Sequence, residues 1–125
     1  MTNKRKILIA DDSPEVQKAV KNALEQNYEL SIVSTPEEAI NYNEKFDLLL
    51  TDFYFGEGKK RGLEIIKELK EKKKDLSAIL MSSDVNNNIK IKCNELNVPT
   101  FSKYEDNVTP VDEDKLRELI GSYFK

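Results

Sequence analysis

Residues 7–14 read Ile7-Leu8-Ile9-Ala10-Asp11-Asp12-Ser13-Pro14. Four apolar residues run straight into two adjacent carboxylates. A short apolar run of this kind reads as a buried strand. Ser13 suits a helix N-cap, and Pro14 suits the first helical position, where its missing N–H is not needed. Val16, Ala19, Val20, Ala23 and Leu24 then follow the i, i+3, i+4, i+7, i+8 stripe of an amphipathic helix. The stretch is therefore a strand, a short loop and a helix, with two like charges side by side in the loop. Such a doublet is unfavourable unless it is fully solvated or faces a cation.

The same unit recurs along the chain. Residues 28–33 alternate, with Tyr28, Leu30 and Ile32 expected on one face. Thr35-Pro36-Glu37-Glu38 reads as a capping box opening a second, shorter helix. Phe46 to Leu50 forms a third strand ending at Thr51-Asp52, and a helix follows with Leu63, Ile66 and Leu69 on one side. Ala78 to Met81 is a fourth strand. Residues 86–96 carry a weak helical signal, because three asparagines open them and Ile89-Lys90-Ile91 alternates. Residues 98–102 form a fifth strand, and Thr109-Pro110 caps a last helix with Leu116, Leu119, Ile120 and Tyr123 as its stripe. Five β-α units argue for a parallel sheet covered on both faces. Strands one, three and four are continuous apolar runs and belong inside; strand two alternates and strand five holds Pro99, so both belong at edges. The order 2-1-3-4-5 satisfies these constraints with right-handed crossovers.

Bulk properties narrow the function. The chain has 125 residues, one ordinary domain, read here as a single unit over 1–125. Its net charge of −3 gives no case for nucleic-acid binding. A single cysteine, Cys93, cannot form an internal disulfide, so a reducing, cytoplasmic compartment is expected. Cys93 itself reads as a partly buried helix residue. No apolar run approaches the roughly 18 residues a membrane span needs, and no signal-peptide pattern opens the chain. The absence of histidine removes histidine catalysis and histidine metal ligands.

In such a sheet, ligands bind beyond the carboxyl ends of the strands, where the strand order reverses. Strand one ends at Asp11-Asp12, strand three at Asp52, strand four at Ser82 and strand five near Lys103. Each alone has an ordinary explanation: Asp-Asp as a helix start, Asp52 as a turn residue, Ser82 as uninformative beside Ser83, Lys103 as a solvated lysine. Their convergence on one rim from four stretches of sequence does not. Clustered carboxylates repel and are forced to protonate unless a cation is present. Hard oxygen donors without histidine or cysteine suit Mg²⁺. A divalent cation beside an ammonium can neutralise a phosphoryl group, with a carboxylate as nucleophile.

With these residues in place, the sequence resembles a response-regulator receiver domain of two-component signalling, similar to the stand-alone receivers of chemotaxis and sporulation. The pieces that carry the resemblance are ILIADDS (7–13), DLLLTD (47–52), GLEIIKELK (62–70), AILMSS (78–83) and TFSK (100–103). It implies a flavodoxin-like doubly wound fold and a phosphoacceptor at Asp52, served by a sensor histidine kinase or phosphotransfer protein. It implies Mg²⁺ held by Asp12 directly, Asp11 mostly through water, Asp52, and the Tyr54 carbonyl. Ser82 and Lys103 would contact the phosphoryl group. Phe101 would move with the switch, with Thr100 as the other candidate for that place. Tyr54 and Asp84 would tune the lifetime of the modified state. The face built from the fourth helix, fifth strand and fifth helix would dock a downstream protein. Such a chain assists its own phosphorylation and dephosphorylation but turns over no separate substrate.

The departures from the family pattern are local. The family usually places a proline after the lysine, often with a cis bond, where this chain has Tyr104. Gly62 follows the acceptor by ten residues instead of eight, so the 53–62 loop is longer, and strand five is shortened before Lys103. These features motivate a second reading: a receiver-shaped interaction module that works without phosphorylation. A small acid-site phosphatase would need D-x-D, which neither DDS nor TDFYF supplies. Gly56, Gly58 and Gly62 miss the dinucleotide spacing by one, and Lys59-Lys60 does not complete a P-loop. Lys59, Lys60 and Arg61 then read as a flexible loop beside the site, and Lys70, Lys72, Lys73 and Lys74 as a solvated helix end. The 125 residues include no output domain; a natural single-domain regulator, a relay intermediate and a piece of a longer protein all fit.

Overall fold

The computed structural model describes residues 4–83 and 86–124. Five strands and five helices alternate: β1 (Arg5–Ala10), α1 (Pro14–Leu24), β2 (Tyr28–Val33), α2 (Pro36–Ile40), β3 (Leu48–Asp52), α3 (Gly62–Lys72), β4 (Ala78–Ser82), α4 (Asn87–Glu95), β5 (Thr100–Ser102) and α5 (Glu113–Tyr123). The strands form one parallel sheet in the order β2-β1-β3-β4-β5, as the strand patterns require.

Alternation along the strands divides the core in two. Ile7 and Ile9 of β1, Leu48 and Leu50 of β3, and Ile79 and Met81 of β4 face α1 and α5, where they meet Val16, Val20, Leu24, Leu116 and Ile120. Leu8, Ala10, Leu49, Ala78 and Leu80 face the other way and pack under α2, α3 and α4, against Ala39, Ile65, Ile66, Leu69, Ile89 and Cys93. Every residue of β3 and β4 is buried, as expected of central strands covered on both sides.

The caps at the first two helices are those the sequence signals. The Ser13 hydroxyl accepts from the Val16 amide at 3.4 Å, and the Thr35 hydroxyl accepts from the Glu38 amide at 3.1 Å. The Glu38 carboxylate returns to the Ser34 amide, one residue ahead of the cap, at 3.2 Å.

Several local expectations are refined. The last helix is capped by Asp112, which accepts from the Lys115 amide, and not by Thr109. Strand β5 has three residues instead of five: the Pro99 carbonyl bonds the Leu80 amide, but Val98 turns into the core ahead of the strand. Ile32 of β2 shares the side of Tyr28 and Leu30, as the alternation requires, and is 37% exposed at this edge strand. Of the lysines at the end of α3, Lys72 and Lys74 are exposed as expected, but three also reach carbonyls: Lys70 donates to Leu96, Lys72 to Ile40 and Lys73 to Phe46. Cys93 is fully buried, beyond the partial burial expected.

Gly62 sets the distance between α3 and the end of β3. A Cβ at this position would collide with the Asp52 carbonyl oxygen and the Leu80 side chain. The Gly62 amide donates to the Phe53 carbonyl at 2.8 Å, so the longer 53–62 loop returns the chain onto Asp52 despite its extra residues.

Candidate functional site

The carboxyl ends of β1, β3, β4 and β5 meet at one rim. Oxygens of Asp11, Asp12 and Asp52 lie within 4.8 Å of one another. Asp11 is fully buried and Asp52 is 7% exposed, whereas Asp12 is exposed to solvent. Lys103, whose isolated position reads as solvated, is 6% exposed. Its ammonium donates to Asp52 Oδ1 at 2.8 Å and to Asp11 Oδ2 at 3.0 Å. Ser82, 6% exposed, stands at the end of β4, and its carbonyl accepts from the Lys103 amide at 2.8 Å.

Backbone groups complete the holding of the acids. The Phe53 amide donates to Asp52 Oδ1 at 2.9 Å, and the Ser13 amide to Asp11 Oδ1 at 2.9 Å. Gln17 of α1 donates through Nε2 to the Asp11 carbonyl at 2.6 Å and to the Ser34 hydroxyl at 3.1 Å. Nothing in the sequence marks Gln17, since its partners lie on two different loops.

Charge and burial oppose each other here. Burial pushes the Asp52 carboxyl up to about 6, and the neighbouring Asp11 adds to the rise against the partial offset of Lys103 and the Phe53 amide. Burial likewise raises Asp11, with Lys103 and the Ser13 amide pulling it down. For Lys103, burial acts to lower the ammonium, but the two carboxylates outweigh it and hold it above its ordinary value. Three carboxylates against one ammonium leave a formal charge of −2 at the rim when all are ionised.

That residue of charge fits a divalent cation. Every donor is oxygen, and a span within 4.8 Å is comparable with the roughly 4.2 Å across an octahedral Mg²⁺ shell. The remaining expected residues lie around this centre. Tyr54, two residues beyond Asp52, is 45% exposed, with the Arg61 guanidinium 4.9 Å from its ring centre and 5.5 Å from that of Phe53. Arg61 of the loop is thus stacked on aromatic rings, while Lys60 pairs with Glu68. Phe101 is 7% exposed and packed in the α1/α5-side core, one register place from Thr100. Asp84 lies outside the described residues.

After Lys103 the chain takes a route of its own. No peptide bond is cis among the described residues, and Tyr104 has φ of 55°. In the following loop, Asp106 accepts from the Val108 and Thr109 amides and from the Thr109 hydroxyl, which hold its carboxyl down at about 2.

Residues 7–107 match the response regulator receiver domain. Solved structures with the same fold include the BeF3-activated DrrB receiver domain, with a TM-score of 0.80 and 21% identity over 97% of each chain. A CheY-like receiver domain protein from Methanospirillum hungatei JF-1 has a TM-score of 0.78 and 21% identity over 97% of this chain and 94% of that one. The chemotaxis protein CheY4 of Vibrio cholerae has a TM-score of 0.80 and 18% identity, covering 95% and 98%. No curated protein matches the chain.

Proposed function

The chain belongs to the response regulator receiver domain family, and from that premise we propose that Asp52 accepts a phosphoryl group from the phosphohistidine of a sensor kinase or phosphotransfer protein. The observation that carries this reading is the meeting of three carboxylates within 4.8 Å, two of them bridged by one buried ammonium. A carboxylate oxygen of Asp52 attacks phosphorus, the bond from phosphorus to the donor's imidazole nitrogen breaks, and that nitrogen keeps the electron pair. The product is an aspartyl phosphate.

Mg²⁺, held by Asp12, Asp52 and the Tyr54 carbonyl, would supply positive charge to the phosphoryl oxygens as they become equatorial. Asp11 already has both oxygens engaged, by the Ser13 amide and by Lys103, which supports its meeting the ion through water. The Phe53 amide keeps Asp52 in one orientation at the strand end. Lys103 would contribute its single positive charge to the same oxygens, and the Ser82 hydroxyl would turn toward them once the group has arrived. The chain assists this chemistry on itself and has no separate substrate.

The new dianionic charge draws Ser82 and Lys103, and through them the ends of β4 and β5. The surface of α4, β5 and α5 would then change its affinity for a downstream protein, with Phe101 moving within it. Ile91 of α4, 55% exposed, stands on the part of this surface open to solvent.

The test is incubation with Mg²⁺ and a small acyl phosphate, followed by intact-mass measurement. A gain of one phosphoryl group, absent from Asp52→Ala, is expected. No gain with any donor would overturn the reading. One observation favours a phosphorylation-independent module instead: Lys103 pairs with both Asp11 and Asp52, so the chain itself partners the two buried acids. Partner binding unchanged by Asp52→Asn and by removal of Mg²⁺ would decide for that alternative.

A further inference from the structure

The backbone at Lys103 still belongs to the sheet, because its amide bonds the Ser82 carbonyl at 2.8 Å. One residue later the chain must leave β5 while the Lys103 side chain stays in the acid pocket. Tyr104 makes that turn in the left-handed region, at φ of 55°. A bulky L-residue resists this conformation, which glycine or asparagine would accept readily. It persists only where the surroundings hold it in place.

Three contacts do so. The Tyr104 amide donates to the Pro110 carbonyl at 3.1 Å, at the far end of the loop. Its carbonyl accepts from the Asn107 amide at 2.9 Å, inside the turn. Its hydroxyl donates to Glu15 at 3.2 Å, in the first turn of α1. The ring between these anchors packs against the α1/α5-side core. Glu15 lies three residues after Asp12, so the contact ties the loop carrying Lys103 to the loop carrying the acid doublet. The rest of that link is Lys103 itself, whose flexible stem has no rigid aim of its own.

We propose that Tyr104 is a positioning residue for phosphotransfer to Asp52: its left-handed turn, pinned through its hydroxyl to Glu15, sets the approach of Lys103 to Asp11 and Asp52. This rests on the phosphoacceptor reading and adds to it a device specific to this chain, in the place where the family usually carries proline.

The experiment compares rates of Asp52 phosphorylation by acetyl phosphate with Mg²⁺ in wild type, Tyr104→Phe, Glu15→Ala, Glu15→Gln and the Tyr104→Phe/Glu15→Ala pair. Tyr104→Phe and Glu15→Ala are each expected to slow uptake by roughly threefold to tenfold, the range that one hydrogen bond allows. The double variant should be no slower than either single one. Glu15→Gln keeps an acceptor without the charge and should retain the wild-type rate, whereas a role for the charge of Glu15 would make it as slow as Glu15→Ala. Equal rates in Tyr104→Phe and wild type, or additive losses, would overturn the inference and leave the phosphoacceptor reading standing. Absence of uptake in the wild type would overturn that reading and the inference with it.

Discussion

Asp52 is the residue at which folding and function oppose each other. Its carboxyl, ordinarily near 3.8, is pushed up to about 6 by burial first and by Asp11 second. A carboxyl with a higher pKa in the folded state stabilises the fold in its protonated form. That contribution is complete below pH 3.8 and is lost as the pH rises through about 6. A shift of this size is worth about 3 kcal/mol at most. In chelator, urea unfolding should therefore find Asp52→Asn more stable than wild type by about 1–3 kcal/mol at neutral pH, with the gap closing toward pH 4. Parallel pH dependences in the two proteins would contradict this. Lys103 illustrates the limit of reading single positions. On its own it is indistinguishable from any surface lysine, and only contacts 92 and 51 residues away make it a buried cation between two acids.

At the scale of elements, local signals hold where the partner is local. Ser13 and Thr35 cap the helices they precede, because a cap reaches only three residues ahead. Thr109 fails as a cap for the same kind of reason: Asp106, three residues back, already engages both its amide and its hydroxyl. The start of α5 passes to Asp112. Asp112→Ala is accordingly expected to cost about 1 kcal/mol and to speed hydrogen exchange in the first turn of α5. Thr109→Ala should leave those amides protected. If the two variants behave alike, the cap assignment is wrong. The lysines ending α3 were beyond local reading, since the carbonyls they reach lie 26 to 32 residues away. The weak α4 signal is explained by its single-sided burial: only Ile89 and Cys93 face the core among the described residues of that helix.

Across the whole molecule, the charge remaining at the rim predicts linkage between ion and fold. An ion that binds only the folded state stabilises it by mass action; with a dissociation constant of roughly 1 mM, about 10 mM Mg²⁺ would add about 1.4 kcal/mol. The thermal midpoint should rise by a few degrees on adding Mg²⁺, and the rise should vanish in Asp12→Ala, which removes the exposed carboxylate of the triad. A midpoint indifferent to Mg²⁺ would remove the metal from the account. The strand order, the two-faced core and the four strand ends that converge were all legible from hydrophobic patterning. An apolar run or an alternating one states directly how many of its faces are covered, and right-handed crossovers then leave few arrangements. Asp11, Asp12, Asp52, Ser82 and Lys103 were legible as a group because strand ends in such a sheet have known places. Their bonding was not. Which oxygen meets which donor, the left-handed turn at Tyr104 with its tie to Glu15, and the contact of Gly62 with the Asp52 carbonyl depend on distances between segments far apart in the chain. Patterning acts over a few residues and determines which side of an element is buried; only the packing of all five units determines what each buried group touches.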